Sequence, residues 1–118
     1  MNIEDFRDYC LNKKSVTEEF PFDEKTLVFK VAGKMFTLTD IDNFESFNVK
    51  CDPELALEMR ERYNGVKAGY HMNKKHWNTI TVFSDLPEAE MYKAIDHSYD
   101  LVYNKLPKKI REEIEKES

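Results

Sequence analysis

A chain of 118 residues with 41% hydrophobic content, eight Phe, six Tyr and one Trp is long enough for one packed core and too short for two. Its 23 Asp and Glu against 18 Lys and Arg give a formal net charge of −5, which excludes a generally basic nucleic-acid binder and leaves phosphate contact to a local patch. Two cysteines, Cys10 and Cys51, are too few for a disulfide framework and fit reduced thiols in a cytoplasmic protein.

One domain spanning 1–118 is expected, with 108–118 as a charged helix or tail. The opening Met-Asn-Ile-Glu-Asp lacks the basic and apolar regions of a secretory leader. No apolar run approaches the roughly 20 residues of a membrane helix, so a soluble cytoplasmic monomer is expected.

Ile3, Phe6 and Cys10 recur at helical spacing and predict an amphipathic helix over 2–12, with Glu4 and Asp5 at its positive end. Phe20-Pro21-Phe22 bars a central strand, so 17–23 reads as an edge strand or an extended lead-in. Thr26 to Ala32 and Met35 to Thr39 flank Gly33-Lys34 as a hairpin. Phe44 to Cys51 follows as a half-buried strand with Phe47, Val49 and Cys51 on one face.

Asp52-Pro53-Glu54 starts a second helix, with an acceptor at the N-cap and proline at the first helical position. Leu55, Met59 and Tyr63 form its stripe, and Asn64-Gly65 is expected to cap its end. Val66 to Tyr70 and Trp77 to Phe83 read as strands. Ser84 with Glu88 suggests a capping box before a third helix that runs to about Lys105, with Met91, Ile95, Tyr99 and Val102 or Tyr103 on one face. Ile110 and Ile114 lie one turn apart in a short, exposed last helix. The order α-β-β-β-α-β-β-α indicates an α+β fold: an antiparallel sheet with flanking helices.

The stretch from Gly69 to Asn78 departs from this acidic background. It contains the sole tryptophan, two of the three histidines and a lysine pair, and no Asp or Glu occurs from Gly65 through Ser84. As a hairpin tip, it would offer Lys74 and Lys75 to phosphates, Tyr70, His71 and Trp77 as flat rings, and Asn73 and Asn78 as amide forks, with His76 also among the contact residues. Lys34 and Lys50 are secondary phosphate contacts. Trp77 equally fits an ordinary core aromatic; Met72 through Lys75 are expected to project, with Tyr70 and Trp77 as anchors.

Metal and enzyme signatures are weak. His71 and His76 stand five apart without the paired ligands of a zinc site. There is no glycine-rich phosphate loop, nucleophile elbow or His-Glu-x-x-His, and Cys51 reads as a small buried hydrophobe. His97 is expected to bond to a turn or a neighbouring side chain. A non-enzymatic protein without cofactor or metal is the expectation.

Phe20-Pro21-Phe22-Asp23, Leu27-Val28-Phe29-Lys30-Val31 with Lys34-Met35-Phe36, Asn48-Val49-Lys50-Cys51-Asp52-Pro53, the whole of Gly69 to Asn78, and Asp96-His97-Ser98-Tyr99-Asp100-Leu101-Val102 form a set of motifs. Together they resemble the MmcQ/YjbR family of small bacterial proteins. The resemblance covers nearly the whole chain and implies an α+β domain similar to CyaY and to type III secretion chaperones. It also implies DNA binding by two projecting wings, here the Leu27 to Thr39 hairpin with Lys30 and Lys34 and the Gly69 to Asn78 tip. The alternative partner is a protein or peptide, held at a sheet edge or in a groove between helices.

Overall fold

The computed structural model describes residues 1–70 and 72–117. Helix α1 (Ile3–Leu11) begins where the Asn2 side chain accepts the Asp5 N–H at 2.8 Å and Asp5 accepts from the Asn2 N–H in return. Its stripe buries Phe6, whose ring meets those of Phe29, Phe44 and Phe47 at centroid separations of 5.5, 5.2 and 5.0 Å.

Four strands follow: β1 (Val16–Glu19), β2 (Thr26–Val31), β3 (Lys34–Asp40) and β4 (Ser46–Lys50). After them come α2 (Pro53–Arg62), β5 (Val66–Ala68), β6 (Trp77–Thr81), α3 (Glu88–Asn104) and α4 (Lys108–Glu115). The strands make one antiparallel sheet in the order β1-β2-β3-β4-β6-β5, the α+β arrangement expected. The lead-in is a true edge strand, β1, and it ends before Phe20-Pro21-Phe22, which lie outside the ladder.

Ala32 and Gly33, at φ 48° and 79°, close the β2–β3 hairpin as a two-residue turn whose twist matches the strands. A bulge follows: Phe29 faces Thr37 but Lys30 faces Met35, so Phe36 is the extra residue and its ring joins the buried core. Leu27, Phe29, Phe47, Val49, Val66 and Ile80 line the same face, covered by α1 and α3. Thr37 and Thr39, also buried there, donate to Asn48 O and Ser46 O at 2.7 Å, which removes the penalty of an unpaired hydroxyl.

Across the centre, the buried Ser98 hydroxyl of α3 donates to Phe36 O and accepts the Lys50 N–H at 2.8 Å, fixing the helix to β3 and β4. The opposite face has a smaller cluster of Val28, Leu38 and Trp77, with Met35 and Met72 packed against it.

Three local expectations are corrected. Gly65 does not cap α2: the cap is Tyr63 in an extended conformation, and a Cβ on Gly65 would lie 2.1 Å from Ser84 Oγ. Its role is close approach between chain segments. Ser84 does not cap α3; its hydroxyl donates to Thr81 O and accepts from Leu86 N–H, while Pro87 occupies the N-cap. The last helix is not simply exposed, since Ile114 is buried and Glu115 accepts from Tyr103 at 2.5 Å. A polar helix docks here by one apolar turn and one phenol.

Candidate functional site

Strand pairing decides which charges meet. Val31 lies opposite Lys34, Thr37 opposite Val49, Lys50 opposite Trp77, and Ala68 opposite Asn78. Lys34, Lys50 and the 69–76 connection therefore share one end of the sheet. The C-terminal end of α3 reaches the same place, where Lys34, Met35, Lys50, Val102, Lys105, Leu106 and Pro107 line a notch of about 280 Å³.

The 69–76 connection is a built turn. Gly69 O accepts from Met72 N–H at 3.3 Å, and Asn73 O accepts from Trp77 N–H at 3.0 Å. Asn73 Oδ1 takes the N–H groups of Lys75 and His76 at 2.9 and 3.3 Å. His76 O accepts the Cys51 N–H at 2.7 Å, tying the turn to the exit of β4. From α2, Arg60 donates through Nε to Asn78 Oδ1 at 2.7 Å and through Nη2 to Trp77 O at 3.2 Å and to Lys74 O. A Cβ on Gly69 would lie 2.7 Å from Trp77 Cβ, so glycine is needed for the tryptophan to lie under the turn.

The residues singled out in the sequence thus divide. Lys74 and Lys75 are exposed, His76 is half-buried, and Tyr70 is 70% exposed. Trp77 is only 8% exposed and packs beneath Met72, so in this arrangement it is not a stacking platform for a ligand. Asn78 is 1% exposed, bonded to Arg60 and, through Nδ2, to Ala56 O at 3.4 Å; both it and Trp77 hold the turn in place. Asn73 is exposed, but its side-chain oxygen is committed to the turn. Met72 packs where projection was expected, and Tyr70 is exposed where anchoring was expected. His71 lies outside the described residues.

Among the described residues, none of Lys34, Lys50, Lys74, Lys75 and Lys105 forms an ion pair. Partial burial, then repulsion from Lys105, pulls Lys50 below the usual lysine range. Lys105 is the residue that sequence reading missed. It is far from Lys50 along the chain, and nothing local distinguishes a lysine after a helix from any other solvated charge.

A second concavity, of about 270 Å³, lies between α2 and α3. Its floor is Val49, Cys51, Asn78 and Ile80, and the α2 stripe of Leu55, Met59 and Tyr63 forms one wall. Cys51 and His97 both line it. Burial pushes the Cys51 thiol up to about 11, with Asp52 adding to the shift. His97 Nε2 accepts the Asp52 N–H at 3.2 Å, the turn contact expected of it. Among the described residues, no group of three or more His, Cys, Asp or Glu side chains is placed to hold a metal ion, and no helix is long and apolar enough to cross a membrane.

The YjbR family model matches residues 11–101. Uncharacterised protein YjbR of Escherichia coli K12 is 30% identical over 112 residues, covering 94% of this chain and 95% of that protein. Uncharacterised protein YbdF of Escherichia coli O157:H7 is 36% identical over 91 residues, 76% of this chain and 75% of its own. The crystal structure of a Deinococcus radiodurans protein with a DUF419 domain superposes with a TM-score of 0.91 at 36% identity, covering 97% of this chain and 88% of that one. A Pseudomonas syringae protein follows at 0.73 and 27%, covering 86% of this chain and 99% of its own. A match from the end of the first helix into the last turn of the third, with a relative 30% identical along 95% of its own length, makes this chain a member of the YjbR family.

Proposed function

We propose that the protein binds DNA with low sequence specificity through the lysine end of its sheet. The carrying observation is the convergence of Lys34, Lys50, Lys74 and Lys75 there without carboxylate partners among the described residues. Phosphates are the ligands that such exposed ammonium groups attract, and binding of this kind is set by counterion release. In this reading Lys74 and Lys75 make the main phosphate contacts, Lys34 and Lys50 flank them, and Tyr70 and His76 supply the accessible rings. Trp77 and Asn78 act beneath them by keeping the turn rigid. The scarcity of exposed amide forks predicts little base readout. No catalytic step is proposed.

The test is binding of a fluorescent duplex across a salt series by wild type and by the Lys74→Ala, Lys75→Ala double variant. The double variant should lower the slope of log affinity against log salt by about 2, roughly one per lysine. Absence of binding at low salt, or an unchanged double variant, would sink the reading.

A peptide- or protein-binding adaptor is the rival reading. It draws on a groove over the helix-free sheet face lined by Phe22, Met35, Leu38, Asn48, Tyr70 and Met72, with Phe22 67% exposed. A protein complex that survives nuclease treatment and is lost in Phe22→Ser would favour it over DNA.

A further inference from the structure

The notch at the end of α3 differs in kind from the exposed turn beside it. It is concave, and its lysines come from three elements distant in sequence: Lys34 opens β3, Lys50 closes β4, and Lys105 follows α3. Between them Met35, Val102, Leu106 and Pro107 supply an apolar lining. Leu106 and Val102 are 5% exposed, so the floor is firm.

The end of a helix presents carbonyl groups that could occupy nearby ammonium groups. Here the carbonyls of Val102 and Tyr103 already accept the N–H groups of Lys105 and Leu106 at 3.2 and 3.0 Å. Among the described residues, no carboxylate pairs with any of the three lysines. Lys50 and Lys105 repel one another across this concavity, which Lys34 also lines, and an anion between them converts that repulsion into attraction. Apolar walls strengthen the effect by excluding the water that would screen it.

We propose that this notch is a phosphoryl-binding site, formed by Lys34, Lys50 and Lys105, that takes a terminal phosphate monoester. A monoester is nearly a dianion at neutral pH and presents three oxygens, one for each ammonium group. A phosphodiester inside a strand carries a single charge and is flanked by sugars, so it suits the exposed turn better than a recess. The depressed affinity of Lys50 for its proton fits a group waiting for an anion. The oligonucleotide form of this inference rests on the DNA-binding reading: a 5′-phosphorylated end would enter the notch while Lys74 and Lys75 hold the backbone. The phosphoryl site itself does not depend on it.

Two measurements separate the sources. Fluorescence anisotropy compares one oligonucleotide bearing a 5′-phosphate with the same oligonucleotide bearing a 5′-hydroxyl, for wild type, Lys105→Gln and the Lys74→Ala, Lys75→Ala double variant. The phosphorylated form is expected to bind about tenfold tighter to wild type. That ratio should fall to near one in Lys105→Gln and survive in the double variant even as overall affinity drops. In parallel, amide spectra are titrated with inorganic phosphate against chloride at matched ionic strength. Phosphate-specific shifts at Lys34, Lys50 and Lys105, lost in Lys105→Gln, support the notch even if no oligonucleotide binds, and then identify a small phosphomonoester as its source. Equal affinity for both oligonucleotides together with no phosphate-specific shift at the notch overturns the inference, and leaves DNA binding through the turn intact if the duplex still binds. A preference or a shift that persists in Lys105→Gln also overturns it.

Discussion

The two ends of the sheet carry opposite charge and use it differently. At one end, β2 begins, β3 ends and β4 begins among Asp23, Asp40, Asp42 and Glu45, with Asp85 beyond β6. Several of these carboxylates are occupied by backbone: Asp23 accepts the N–H groups of Lys25 and Thr26 at 2.8 and 2.6 Å, Asp40 those of Asp42 and Asn43, and Asp85 those of Asn64 and Gly65, each at 2.8 Å. At the other end, among the described residues, the ammonium groups of Lys34, Lys50, Lys74, Lys75 and Lys105 form no ion pair. The acidic end is charged because its turns need acceptors. Among the described residues, the lysine side chains of the basic end have no partner in their own fold, and it is that surplus, more than the sign, on which the DNA-binding proposal rests. A net charge of −5 hides this local basic end, because it sums over the whole chain.

The comparison is broken most severely at Arg60, a cation at the basic end that has a structural task. Arg60→Ala removes the donor to Asn78 Oδ1, a side chain 1% exposed, and the guanidinium contacts to Lys74 O and to Trp77 O, which keeps its bond from the Gly69 N–H at 2.8 Å. Leaving a buried acceptor unpaired costs about 1–3 kcal/mol. Urea denaturation should show a loss of that size, and amide exchange in 72–78 should quicken because the turn loses its anchor on α2. A loss below about 0.5 kcal/mol would mean that water replaces the guanidinium and that the turn is not held as described.

Much of this was legible in the sequence, wherever the signal was local. The Ile3, Phe6, Cys10 spacing, Asp52 with Pro53, and the Phe47, Val49 alternation each announce an element through neighbours a few residues apart. The errors arise where one residue type serves two purposes. Gly65 sits where a helix cap is plausible but is glycine because Ser84 presses against it, and Ser84 looks like a cap but bonds back to Thr81. The first depends on a contact between distant segments, as does the lysine notch; the second is a local choice between two acceptors for one hydroxyl. In the turn, the sequence showed a cluster of rings, lysines and amides but not which of them point inward. The β4–β6 register sets Asn78 opposite core-facing Val49 and Trp77 in the second apolar cluster, and Arg60, outside the motif, satisfies the buried Asn78 oxygen.

A smaller effect sharpens the acidic side of the comparison. Backbone hydrogen bonds hold the carboxyl groups of Asp23 and Asp85 below the usual range, those from Thr26 and Asn64 leading. Because the folded values lie below the unfolded ones, their contribution is fully present above the unfolded value of about 3.9 and is lost as pH falls through the folded values. Asp85→Ala should therefore lower the melting temperature at pH 7, while its deficit against wild type shrinks as pH drops below about 4. A deficit constant from pH 7 to pH 2 would show that Asp85 acts by packing and not by accepting from Asn64 and Gly65.

The smallest expected effect, on stability, is at the lysines themselves, and its sign is informative. Exposed residues with no partner contribute within about 0.5 kcal/mol, so Lys34→Gln and Lys105→Gln should leave the denaturation midpoint almost unchanged. If a shift is seen it should be upward, since Lys105 disfavours the charged form of half-buried Lys50 and its removal relieves that repulsion. Salt provides the check: exposed charges are screened over about 10 Å at 0.1 M, so any gain should be largest at low ionic strength and vanish at high. Asp85→Ala works in the other sense, as a loss that salt changes little because it removes acceptors and not a long-range field. A stabilising, salt-sensitive lysine substitution beside a destabilising, pH-sensitive aspartate substitution would establish that one end of the sheet spends its charge on the fold while the other holds it for something outside the chain. If Lys105→Gln instead destabilises the protein by more than 1 kcal/mol, the lysine serves α3 and the surplus at this end is smaller than the register suggests.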